Sequence, residues 1–142
     1  MGYERIGDIP HQEAFKFEVL ERQIKAERAL TCFISDRSTV DSWVLWQRWN
    51  ICQAMSYDTE RYYDLARAQA EHYSHVIYIP AMFEPREDGF RWTDLDYQKQ
   101  IDRLVRMTLY DFALLDKTYT VKSESLPERI KETQAWIAAT KP

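Results

Sequence analysis

The sequence predicts an α/β fold in three layers, in which helices flank a parallel sheet of about three short strands. Apolar runs at residues 31–35, 76–80 and 118–122 are too brief for helices and are typical of buried strands. Stretches with apolar residues at three- and four-residue spacing separate these runs. Right-handed crossovers through such helices make neighbouring strands parallel. Because no linker, repeat or low-complexity segment divides the chain, we expect residues 1–142 to form a single domain.

The helices follow from periodicity and from their start signals. They are expected at about 11–30, 39–55, 58–73, 94–115 and 126–139. Three of them begin at pairs that resemble a capping box, namely Ser38 with Asp41, Thr93 with Asp96, and Ser125 with Glu128. The periodic positions expected to face inward are Phe17, Leu20, Ile24, Ile101, Leu104, Val105, Thr108, Phe112, Leu115, Ile130 and Ile137.

Trp43, Trp46 and Trp49 are spaced by three residues along the second helix. This spacing drifts around a helix, so we expect a packed face with one tryptophan partly exposed, where it could line a base pocket or a subunit contact. Cys32 and Cys52 lie within apolar patterns, which predicts reduced core residues of a cytoplasmic protein.

Composition limits the classes of function. The formal net charge is −4 and no basic block is present, so binding of nucleic acid through counterion release is not expected. No apolar run approaches the roughly 18 residues of a membrane span, and the N-terminus lacks the apolar core of a signal peptide. We therefore expect a cytoplasmic protein without a membrane partner.

Polar residues follow the predicted strands, and ligands of open α/β sheets bind beyond the carboxyl ends of strands. Asp36 could accept a proton from a hydroxyl nucleophile, and Arg37 could bind a phosphate. The alternative is a capping acid and a surface arginine. Arg86 and Arg91 flank Gly89 in a loop that is either a charge-neutralising lid or a surface loop without a role.

Other polar positions carry weaker signals. Lys122 and Ser123 after the last strand are expected to be ordinary surface residues. His72 and His75 lack the further ligands that a metal site needs.

Several segments together resemble a known family. FISDRSTVDSWVLWQ, HVIYIP, EDGFRWTDLDYQKQID and TYTVKSESLPERIKETQAWI, in this order, resemble the AAA-type ATPase/kinase family linked to NAD metabolism. More widely, they are similar to the nucleoside and nucleotide kinases among P-loop proteins. The resemblance spans nearly all of residues 12–138. It implies ATP and Mg²⁺ as cofactors and transfer of a phosphoryl group to a nucleoside or nucleotide.

The resemblance also implies roles for four residues. Asp36 would be the catalytic or magnesium-linked acid, and Arg37 would contact substrate phosphate. Arg86 and Arg91 would be lid arginines.

The chain departs from this family at the phosphate loop. The family has a Gly-x-x-x-x-Gly-Lys-Ser/Thr loop after its first strand, and this sequence has no such motif. Gly2 and Gly7 keep the glycine spacing, but Asp8 and Ile9 stand where lysine and the hydroxyl residue belong.

In the family, the phosphate-loop strand lies between the strands that match residues 31–35 and 76–80. Three alternatives follow: these strands pair directly, a second copy or another chain supplies the strand, or the chain is a fragment of a longer protein. We therefore expect a kinase-like protein with weak or absent activity on its own. The alternative is a non-enzymatic module that forms a homodimer or binds a partner.

Overall fold

The computed structural model describes residues 11–82 and 94–140. The chain divides into two compact units, the first ending at Ala70 and the second beginning at Glu71. Compactness alone does not make a unit an independently folding domain. The single domain over residues 1–142 therefore stays a prediction.

Five α-helices, two strands and a short 3₁₀-helix (Leu115–Lys117, before the second strand) form the regular structure of the described residues. In chain order the α-helices and strands are α1 (Gln12–Arg28), α2 (Thr39–Trp49), α3 (Ser56–Ala70), β1 (Val76–Tyr78), α4 (Leu95–Asp111), β2 (Thr118–Thr120) and α5 (Leu126–Ala139). The five predicted helices are thus confirmed, although α2 ends six residues before the expected end at 55. None of these helices combines the length and the apolar content that crossing a bilayer requires.

β1 and β2 form a parallel pair, which confirms a mixed α/β fold with parallel strands. Ile77 pairs with Tyr119 at the centre of the register. The ladder continues beyond β2, where the Val121 N–H donates to the Tyr78 carbonyl at 2.9 Å. Helix α4 lies between the two strands in the chain, as expected of a parallel connection. The three-layer, P-loop-like arrangement stays a prediction.

The predicted strand at residues 31–35 is wrong. This segment has no regular secondary structure, and Phe33 and Ile34 are 36% and 100% exposed. A strand gains its hydrogen bonds and its apolar cover from neighbouring strands, not from its own sequence. An apolar run alone was therefore not sufficient evidence for a strand here.

Aromatic packing among the three helices forms the core of the first unit. Trp46 is fully buried and stacks on Tyr62 with ring centroids 4.2 Å apart. Phe17 meets the edge of Trp46 at 5.3 Å. The Trp46 Nε1–H donates to Thr59 Oγ1 at 3.2 Å, which satisfies the one polar group of the indole. Trp49 is 41% exposed, so the prediction of one partly exposed tryptophan is confirmed.

A buried polar network also joins α1 to α3. Gln69 is 1% exposed, and its amide donates to Glu27 Oε2 at 2.8 Å. The Arg28 guanidinium donates to Gln69 Oε1 at 2.9 Å. Because buried polar groups are costly without partners, this network fixes how the two helices pack together.

The helix starts agree only partly with the predicted caps. Ser38 and Asp41 form the expected capping box of α2. Asp94 caps α4 by accepting from the Asp96 and Tyr97 N–H groups, whereas the predicted Thr93 lies outside the described residues. Ser125 stands at the N-cap of α5, but its hydroxyl donates to the Glu128 carboxylate at 2.8 Å.

Several residues predicted to be buried are exposed. Leu115, Ile130 and Ile137 are 53%, 50% and 43% exposed. For Ile130 and Ile137 the reason is that α5 packs through other residues, Glu132 and Trp136 among them. Cys32 and Cys52 are free thiols, but both are exposed and neither is a core residue. The sequence pattern shows that these positions are apolar, but it does not show which face of each element packs against a neighbouring element.

Candidate functional site

Asp36 and Arg37 lie in the loop between α1 and α2, in the first unit. Both are exposed, and they follow an irregular segment rather than a strand. The Arg37 backbone is left-handed, with φ of 80°, and its carbonyl accepts from Ser35 Oγ at 2.7 Å. Its guanidinium lies 3.3 Å from Oδ1 of Asp41, the capping acid of α2. The pair is accessible to a ligand, but no strand end positions it.

The two other predicted site residues, Arg86 and Arg91, lie outside the described residues. The lid function assigned to them stays a prediction. Asp36 and Arg37 are therefore brought together only by their adjacency in the chain.

Sequence reasoning missed a polar cluster at the carboxyl end of β1. The Tyr78 hydroxyl donates to Asp102 Oδ1, and the Ala81 N–H donates to the same oxygen at 3.1 Å. Arg106 Nη2 lies 2.9 Å from Asp102 Oδ2. The one available signal was the spacing of Asp102 and Arg106, which are four residues apart on one face of α4.

The environment of Tyr78 keeps its hydroxyl protonated. Burial raises the pKa of Tyr78, and the hydrogen bond and negative charge of Asp102 raise it further. Arg106 acts in the opposite direction but does not reverse the effect. The hydroxyl is thus a hydrogen-bond donor at neutral pH and not a base.

A second cluster lies at the carboxyl end of β2, where Glu132 of α5 accepts four hydrogen bonds. The Lys122 and Ser123 N–H groups both donate to Oε1 at 3.1 Å. The Ser123 and Tyr119 hydroxyls donate to Oε2, each at 3.2 Å. The prediction that Lys122 and Ser123 are ordinary surface residues missed this role of their backbone amides.

The same bonds shift the acidity of Glu132 and Tyr119. Burial alone raises the pKa of the Glu132 carboxyl, but the donors from Ser123, Lys122 and Tyr119 together lower it below its usual value. The pKa of Tyr119 is raised by burial and by the nearby Glu132 charge. The Glu132 carboxylate is therefore the charged acceptor for the free backbone amides at this strand end.

ATP and Mg²⁺ stay predictions of the resemblance. Among residues 11–82 and 94–140, no three His, Cys, Asp or Glu side chains gather into a group that could hold a metal ion. The sequence also lacks the lysine and hydroxyl residue that hold phosphate and magnesium in a phosphate loop.

Comparison with protein families gives no match to this chain, and comparisons with curated proteins and with solved structures also give none. The resemblance to P-loop kinases rests on the sequence segments quoted above. The described part of the chain is mixed α/β and contains one parallel strand pair.

Proposed function

We propose that this protein is an interaction module whose two-stranded sheet accepts a further strand from another polypeptide. The supporting observation is the edge of β1 that faces away from β2. Within the described residues the sheet has only two strands, so this edge has no partner strand there.

The register identifies the backbone groups at that edge. The Tyr78 carbonyl faces β2, because it accepts from Val121. Backbone groups of successive strand residues point to opposite sides, so the Ile77 N–H and C=O face the other edge. An incoming strand would pair with these two groups, as in β-strand addition to peptide-binding domains.

The size of the sheet also supports the proposal. Each strand has three residues, and a two-stranded sheet of this length is marginally stable in water. Parallel sheets are usually covered on both faces and contain more strands. Ile79, immediately after β1, is 55% exposed, so apolar surface lies next to this strand. A further strand would extend the ladder and cover apolar surface.

Proline substitution at Ile77 tests this proposal. Proline removes the N–H that faces the open edge but no donor of the β1–β2 ladder. We expect the wild-type chain to show in light scattering a mass of at least twice 17.1 kDa at tens of micromolar, and Ile77→Pro to return the mass to 17.1 kDa.

Thr120→Pro is the matched control, because the Thr120 N–H faces away from β1 at the far edge of the sheet. This variant should associate like the wild type. A monomeric wild-type chain at tens of micromolar would count against self-association, and equal loss of association in both variants would contradict a specific role of the β1 edge.

The second proposed function is phosphoryl transfer from ATP to a nucleoside or nucleotide in the cytoplasm, in a complex whose other chain supplies the phosphate loop. It is supported by the parallel pairing of residues 76–78 with 118–120, because the resemblance implies parallel strands at both positions. Asp36 and Arg37 would act on the transferred phosphate, as the resemblance implies.

We expect the purified chain alone to release ADP slowly or not at all in the presence of magnesium, because the sequence has no Gly-x-x-x-x-Gly-Lys-Ser/Thr loop. The measurement is a coupled assay of ADP release, with Asp36→Ala as the comparison. Rapid magnesium-dependent release that is abolished in Asp36→Ala would overturn the expected inactivity.

A further inference from the structure

A groove of about 420 Å³ lies on the first unit and is lined by residues of α2 and α3. Its lining residues are Trp43, Thr59, Glu60, Tyr63 and Asp64. This volume falls within the range of roughly 300–1,000 Å³ that is usual for ligand pockets. The groove is far in sequence from β1 and contains neither Asp36 nor Arg37.

Aromatic and acidic side chains give the groove its chemistry. Trp43 and Tyr63 meet edge to face, with ring centroids 5.1 Å apart. The Thr59 hydroxyl is already bonded by the Trp46 indole. Glu60 and Asp64 are exposed and lie one helical turn apart on α3. The lining thus combines two rings and two carboxylates with no lysine or arginine.

We infer that this groove binds an arginine side chain presented by a partner protein. A guanidinium can bond carboxylates through its planar array of donors and can also lie against aromatic rings. Glu60 and Asp64 would bind its charge, and Tyr63 would contact its plane and the side-chain stem. Trp43 is 6% exposed, so only a small part of its indole in the lining is accessible to the ligand. A lysine ammonium offers a point charge without this planar fit, so arginine is preferred.

Charge complementarity supports a cationic occupant. The lining carries two acidic residues and no basic residue. The whole chain has a net charge of −4, which favours encounter with a basic partner. The inference does not depend on strand addition at β1, and either proposal can fail without the other.

A peptide titration followed by NMR tests the inference. The probe is acetyl-Gly-Arg-Gly-amide, and the readouts are the Trp43 indole N–H and the backbone amides of α3. We expect these signals to shift with a dissociation constant on the order of millimolar, as is typical of a few exposed ionic and cation–π contacts. The same peptide with citrulline in place of arginine keeps the shape but not the charge, and should bind at least about tenfold more weakly.

Charge-neutralising variants locate the site. Glu60→Gln combined with Asp64→Asn should weaken binding about five- to tenfold, since two exposed carboxylates are lost. Asp58→Asn is the matched control, because Asp58 is also an acid of α3 but does not line the groove. Unchanged circular dichroism and melting temperatures would show that the variants remain folded.

Three outcomes would overturn the inference. The first is the absence of shifts at the Trp43 indole and α3. The second is equal binding of the citrulline peptide, and the third is equal weakening by Asp58→Asn, which would indicate a general effect of net charge. Tighter binding of the lysine analogue would overturn the preference for arginine.

Discussion

Lys16 of α1 is a half-buried cation at the end of α2. Its ammonium donates to the Leu45 carbonyl at 3.2 Å and to Asn50 Oδ1. Burial lowers the pKa of Lys16 from 10.5 to about 8. The folded chain therefore binds this proton less tightly than the unfolded chain does.

The expected consequence is a stability that depends on pH. Between pH 8 and 10.5 the unfolded chain holds more protons at Lys16, so the free energy of unfolding rises with pH in this window. One pKa unit corresponds to about 1.4 kcal/mol, and after discounting for the half-exposed side chain we expect a rise of ~1–2 kcal/mol. Urea unfolding at several pH values measures it.

Lys16→Met should remove this rise, whereas Lys25→Met, on an exposed position of the same helix, should retain it. The comparison is best made below pH 10. Burial raises the pKa values of Tyr62 and Tyr78, and the stability that their protonated hydroxyls provide is lost at higher pH. A rise that persists in Lys16→Met would contradict the assignment to Lys16.

Helix α5 is held to the sheet by a few polar and aromatic contacts. None of its residues is fully buried. Trp136 stacks on Tyr119 at 5.5 Å and meets the edge of His75 at 5.1 Å. The His75 Nε2 also lies 2.9 Å from the carbonyl oxygen of Thr140, at the end of the helix. Together with the Glu132 hydrogen bonds, these contacts attach the helix.

Glu132→Gln should loosen this attachment, because the charged acceptor of four donors becomes a weaker neutral one. We expect faster hydrogen exchange at the Lys122 and Ser123 amides, with Glu128→Gln unchanged as the control. Unchanged exchange in Glu132→Gln would show that the aromatic contacts alone hold α5.

Measurements at low pH provide a second test of the hydrogen bonds that Glu132 accepts. Hydrogen bonding lowers the pKa of Glu132 in the folded chain. Its carboxylate therefore stabilises the fold fully at pH values above the pKa of the unfolded chain, and this stabilisation is lost as pH falls through the pKa of the folded chain. Protection of the two amides in the wild type should therefore decrease as pH falls below the ordinary pKa of a glutamate carboxyl.

At the scale of the whole molecule, the described surface includes both cysteines and many large apolar side chains. Leu30, Ile34, Met55 and Leu126 are each more than half exposed. The two compact units thus expose groups that an apolar sequence pattern places in a core.

Thiol accessibility tests this surface. Cys32 and Cys52 are exposed, so a thiol reagent such as Ellman's should modify both in the native chain without denaturant. Cys32→Ser and Cys52→Ser should each remove one reactive thiol. Thiols that react only after unfolding would instead agree with the buried positions expected from sequence.

Local features were well predicted from sequence. These features depend on residues within a few positions of one another. They include the helices, the Ser38–Asp41 capping box and the exposure of one tryptophan of the three spaced along α2. The parallel pairing of residues 76–78 with 118–120 was also anticipated, since both segments carry strand-type residues on either side of a helix.

Predictions that needed distant partners were less successful. Residues 31–35 have a strand-like composition but no regular structure, and Ile130 and Ile137 have a helical period but remain exposed. The Asp102 and Glu132 clusters were missed because each joins residues 9–24 positions apart.

The positions of the helices and the residues that begin them follow from the sequence alone, because hydrogen bonding within a helix is local. The choice of which apolar run forms a strand, which face of α5 packs and which carboxylates accept from the free amides at the strand ends depends on tertiary contacts. Distant segments supply the apolar contacts and the hydrogen-bond partners on which these outcomes depend. The sequence around an apolar residue looks the same whether or not a distant segment packs against it.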